Sequence, residues 1–167
     1  MKRYALSILF CVLSASAAFG QTKSPVAGVW RIAETVMPGR NPAAKGVTPT
    51  NPQPGLLIFT KGYYSGMGTG GQPRAVVAPA KDPRNLTDAE KIARYEQWKP
   101  FVANAGTYEI NGSMLIMRPI VAKNVEVMTK ATPNIWEFKL KGPNMLWLIP
   151  TGGRAATEPR VKLKRLE

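Results

Sequence analysis

The chain has 167 residues, with 23 lysines and arginines against 10 acidic residues, no histidine and one cysteine, for a formal net charge of +13. Without imidazole, and with one thiol at most, the usual zinc, copper and haem ligand sets are excluded, as are intramolecular disulfides and Ser-His or Cys-His nucleophilic catalysis. No cofactor and no metal is therefore expected, and any acid–base chemistry falls to Glu, Asp, Lys or Tyr.

The first twenty residues have the three parts of a secretory leader: Lys2 and Arg3, an apolar run over residues 4–19, and a small-residue end at Ala18-Phe19-Gly20. The run is shorter than a membrane span and no second one follows, so stable membrane insertion is not expected. Phe10 before Cys11 argues against a lipoprotein. Cleavage after Gly20 would leave one domain, residues 21–167, in the periplasm or outside the cell. Loss of Lys2 and Arg3 would lower the surplus charge to +11. The cations are scattered, which suits a solvated basic surface and not a nucleic-acid partner.

"GVWRIAETV" (28–36) alternates Trp30 and Ile32 with other residues and reads as a strand with one buried face, onto which strict parity also places Glu34. A loop follows with Pro38, Pro42, Pro49, Pro52 and Pro54. "GLLIFT" (55–60) and "YYSGMG" (63–68) flank Lys61-Gly62 as a tight hairpin. After a second Pro/Gly-rich stretch, Thr87 and Glu90 make a capping box, with Ile92, Tyr95 and Trp98 on one side of the helix that follows. The helix is predicted from residue 87 to about 99, stopped by Pro100.

"GTYEI" and "SMLIMRPI" flank Asn111-Gly112 as a second hairpin. "NVEVMTK", "NIWEFKLK", "NMLWLI" and "RVKLKRL" read as four more strands, with Thr132-Pro133 and Gly142-Pro143 as turns. The pattern predicts an all-β, up-and-down antiparallel, lipocalin-like β-barrel of about eight to nine strands with one helix. Alternate connections of such a barrel share an end. The two long loops and the helix therefore gather at one end, with Arg40, Lys45, Arg74, Lys81 and Arg84 against Asp82. The turns at Lys61-Gly62, Asn111-Gly112 and Thr132-Pro133 would pinch the other.

The residues resemble the bacterial lipocalin-like domain family. The likeness rests on the Gly-x-Trp opening of Gly28-Val29-Trp30, "PGLLIFTKGYYS" (54–65), "FVANAGTYEINGS" (101–113) and a Leu-rich last hairpin. It implies a calycin-type barrel that binds or processes small apolar molecules. It also implies a structural role for Gly28 and Trp30, with an arginine packed across Trp30 at the closed end; Arg154 and Arg160 are the candidates. Two family features are absent: the histidine that many members carry near the position of Met117, and the Thr-Asp-Tyr turn of classical lipocalins.

Face sharing across the two tight turns gives an inward set of Leu57, Phe59, Tyr64, Tyr108, Leu115, Met117, Trp136 and Phe138, with Trp147 undecided. These either fill a solid core or line a ligand cavity; Gly66, Gly68 and Gly70 leave space. The first expectation is a monomeric binder of a small hydrophobic or amphipathic molecule. An anionic head would sit near Lys45, Arg74 and Arg84, with Glu34 as the buried polar contact and weak catalytic candidate. The alternatives are a barrel enzyme of hydratase, cyclase or isomerase type using Tyr and Glu, and a basic module binding polyanions.

Overall fold

The structure, a computed structural model, describes residues 24–38, 53–69 and 76–167. The expected leader, both mouth-loop cations Lys45 and Arg74, Arg40 and Gly70 lie outside the described residues. Eight strands follow in order: β1 (Gly28–Val36), β2 (Gly55–Phe59), β3 (Tyr63–Thr69), β4 (Phe101–Asn111), β5 (Met114–Ala122), β6 (Asn134–Leu140), β7 (Met145–Pro150) and β8 (Arg160–Arg165). Each pairs antiparallel with the next, and β1 pairs back onto β8, closing an up-and-down barrel. Closure leaves no exposed sheet edge.

Helix α1 (Asp88–Trp98) joins β3 to β4, and its capping box forms as the spacing predicts: Thr87 accepts from the Glu90 amide and Glu90 from the Thr87 amide. The run "NVEVMTK", expected as a strand, is instead a five-residue helix, α2 (Val125–Thr129), packed on β5. Its short apolar run fits either period, and α2 spans the β5–β6 connection without adding a ladder. Removing that strand moves Thr132-Pro133 to the elaborated end. The turn at Gly142-Pro143 joins Lys61-Gly62 and the β4–β5 turn at the pinched end.

The β4–β5 turn also sits two residues from its predicted register. Asn111 pairs with Met114, so the central residues are Gly112 and Ser113, with Gly112 at a φ of 57°. Positive φ at the first central residue alone is the demand that glycine meets in a II′ turn. The slip is even, so every side chain keeps its face. Tyr108 now lies opposite Met117, and Ile110 opposite Leu115.

The pinched half of the barrel is solid. Trp30, Phe59, Leu115, Leu146 and Leu163 are at most 2 % exposed, and Val26 caps them from below. All eight residues of the predicted inward set belong to this core or pack against it. The outer wall carries ion pairs at mid-strand: Glu109–Arg118 at 2.9 Å, Glu137–Lys139 at 3.0 Å and Glu34–Lys162 at 3.0 Å. Such a wall is the reverse of a lipid-facing band. Among the described residues no helix is long and apolar enough to cross a membrane.

Candidate functional site

At the pinched end, the Trp30 indole donates to the Val26 carbonyl at 2.8 Å. The guanidinium lying across it belongs to Arg165, 4.0 Å from the ring centroid, and to neither Arg154 nor Arg160. Arg165 also donates to the carbonyls of Pro143 (2.7 Å) and Ala27. Gly28 has a φ of 138°, and a side chain there would run into Arg165 and the Glu167 carbonyl. The Gly-x-Trp opening is therefore a plug. Arg160 starts β8 opposite Val36, at the other end of the strand. A broader depression of about 870 Å³ lies against the plug, bordered by Ser24, Gly28 and Lys61 and by Phe59 and Tyr108 of the predicted inward set.

Glu34 does not enter the barrel. Ile32 pairs with Leu163 and Glu34 with Lys162, so Ala33 is an extra residue in a β-bulge and parity inverts beyond it. The carboxylate sits on the outer wall, 3.0 Å from the Lys162 ammonium. That ammonium also lies 5.5 Å from the Trp147 ring centroid, which puts Trp147 outside as well. Glu34 has no place in a ligand site within the barrel.

The half of the barrel towards the loops is hollow. A cavity of about 380 Å³ is walled by Ile32, Leu57, Met117, Trp136, Leu148 and Val161, with Tyr64 on β3, two residues into the strand from the pinched end. Thus Leu57, Tyr64, Met117 and Trp136 of the predicted set line it. Phe59, Tyr108, Leu115 and Phe138 do not line it and pack in the solid core. Tyr108 spends its hydroxyl on the Thr60 carbonyl at 2.8 Å. Gly66 and Gly68 form one stretch of wall. A Cβ on Gly66 would meet Leu57 at 3.7 Å and the Asn104 carbonyl at 3.9 Å, ordinary contact distances, so a small side chain would fit at that point of the wall.

Polar groups in the wall fall into two layers. Tyr64, Asn104 and Asn134 are uncharged and lie on the inner strand faces; Lys130, Arg154 and Glu158 stand at the mouth. The Tyr64 side chain is 4 % exposed and its hydroxyl has no hydrogen-bond partner among the described residues. Burial pushes its pKa up to about 12, so it is a neutral phenol across the physiological range. Arg154 lies 4.5 Å from the Trp136 ring centroid, donates to both Glu158 oxygens at 2.8 and 2.5 Å, and reaches the Ile135 carbonyl at 3.3 Å. Its charge is thereby compensated within the protein. Arg84 is exposed in the turn before α1, with its amide on Asp82, and does not border the cavity.

Three polar contributors escaped the sequence reading although parity could have found them. Asn104 shares a strand face with Gly106 and Tyr108, Asn134 with Trp136, and Arg165 with Val161 and Leu163. No family model and no curated protein sequence matches the chain. The likeness read from Gly28-Val29-Trp30 and the other blocks rests on those residues alone.

Proposed function

We infer that this is an exported, lipocalin-like binding protein that holds one small, largely apolar molecule in the open half of its barrel. The observation that carries the reading is the 380 Å³ cavity, walled mainly by aliphatic and aromatic side chains, with uncharged polar groups further in and Lys130, Arg154 and Glu158 at the mouth. Its volume falls in the range of about 300–1,000 Å³ usual for small-molecule sites. The leader-like first twenty residues and the four blocks of family resemblance support export and the lipocalin-like assignment.

The test is uptake of phenylnaphthylamine, a dye that fluoresces on leaving water, by the protein without its leader. Saturable uptake at one site per chain is expected, and Gly66→Leu, which adds a large side chain to the cavity wall, should weaken it by at least about tenfold. No uptake by the folded protein, or uptake indifferent to Gly66→Leu, would overturn the reading.

A further inference from the structure

The end of the barrel that holds the cavity mouth also carries an apolar surface that the described residues leave open to solvent. On α1, Lys91, Arg94, Tyr95 and Trp98 stand at positions i, i+3, i+4 and i+7, so two cations and two aromatic rings share one side, with Ile92 beside them. Ile92, Tyr95 and Trp98 are all more than half exposed. Trp98 stacks on Phe101, where β4 begins. The next residue, Val102, lines the cavity and is 55 % exposed; Met67, on the adjoining strand, lines it too and is 46 % exposed. The apolar lining therefore runs out through the mouth and onto the helix. Ammonium groups border both rings: Lys123 lies 5.7 Å from the Trp98 centroid and Lys99 6.0 Å from that of Tyr95. Lys91 and Lys99 pair with Asp88 and Glu96, but these are exposed ion pairs and hold little energy.

We propose that this end of the barrel docks on the surface of an anionic phospholipid bilayer, with Tyr95 and Trp98 among the headgroups and the cavity mouth turned towards the lipid. Indole and phenol rings settle at that depth because one end of each is apolar and the other polar. The neighbouring ammonium and guanidinium groups meet lipid phosphates while their stems lie on apolar surface. Charge selects this occupant. A chain at +13 is drawn to an anionic surface, and a second copy would bring the same charge and be repelled. Residues 39–52 and 70–75, outside the described residues, hold Val47 as their only large apolar side chain and are too polar to cover the patch. The ion pairs at mid-strand keep the rest of the outer wall in water, so the contact is peripheral. Docking stands on this surface alone and does not depend on the cavity holding a ligand.

Co-sedimentation of the leaderless protein with vesicles tests the proposal. Vesicles of equal parts phosphatidylglycerol and phosphatidylcholine are compared with pure phosphatidylcholine. The mixed vesicles should bind at least about tenfold more tightly, and about 1 M salt, which screens charges beyond about 3 Å, should remove most of that margin. Ile92→Ala combined with Tyr95→Ala should weaken binding to the mixed vesicles by about tenfold. Both side chains are exposed and alanine favours a helix, so the paired variant is expected to fold. Tyr63→Ala, which removes an exposed ring at the pinched end, should leave binding unchanged. Absence of binding, equal binding to both vesicles, or a loss as large in Tyr63→Ala overturns the proposal. So does a paired variant that binds as wild type does, which would mean adhesion by charge alone. A wild-type dimer that the paired variant abolishes would seat a second copy on the face and overturn it too. Phenylnaphthylamine uptake is read without vesicles, so the binding function and the docking fail separately.

Discussion

Truncating Arg165 would uncover the Trp30 indole and strip a charged donor from the carbonyls of Pro143 and Ala27. A cation–π contact and two charge-assisted hydrogen bonds make this one of the more expensive single losses in the barrel, about 2–4 kcal/mol. Arg165→Ala should therefore lower the urea midpoint substantially. Arg165→Lys should recover less than half, because one ammonium cannot cover the ring and reach both carbonyls. A loss under about 1 kcal/mol for Ala, within the range of an ordinary surface residue, would remove the plug from Arg165. The same residue marks a limit of parity reading. Alternation puts Arg165 inward with Val161 and Leu163, but an arginine facing a core runs against expectation until the strand is known to end at the plug. Glu34 fails in the opposite sense. Its inward placement follows from faultless counting, and one inserted residue at Ala33, invisible to composition, inverts it.

At the scale of elements, α1 stands apart. None of its residues is buried, and Ile92, Tyr95 and Trp98 are 64, 62 and 54 % exposed, so the side expected to face the protein faces out. The barrel holds the helix at its C-terminal end. There Trp98 stacks on Phe101 at 4.9 Å, and the Lys123 ammonium donates to the carbonyls of Trp98, Lys99 and Phe101 at 2.7, 3.0 and 3.0 Å. A cation on the last carbonyls of a helix contributes up to about 1 kcal/mol, a factor of about five in local opening. Lys123→Met should speed amide exchange in α1 by about that factor without moving the barrel's urea midpoint. Unchanged exchange would mean that the Trp98–Phe101 stack suffices. The ends of α1 were legible because Thr87, Glu90 and Pro100 are local signals. What the helix packs against is a tertiary fact with no local signal. α2 was not legible at all: Val125 and Val127 favour a strand locally, and only its place between two paired strands makes it a helix.

Across the whole molecule, the barrel divides into a solid half and a hollow half, and the sequence offered these as exclusive alternatives. The inward set was legible from turns and alternation; its division was not, because depth along a strand depends on which end of the barrel is plugged. The division has a measurable consequence. Leu115 is fully buried in the solid half, where its neighbours are fixed by packing, whereas Leu57 is only partly buried and borders the cavity. Leu115→Ala leaves a new void in close-packed surroundings and should cost about 3–5 kcal/mol. Leu57→Ala removes a side chain that already has space on one side, so its loss should be nearer the transfer cost alone, about 1–2 kcal/mol. The two should also part company in binding. Leu57→Ala enlarges the cavity and should keep dye uptake, and Leu115→Ala should leave uptake unchanged in whatever fraction stays folded. Urea denaturation of both variants, read beside phenylnaphthylamine titration, decides the matter. Equal losses of stability would mean that the open half closes on itself in solution, and the cavity would then have no standing as a site.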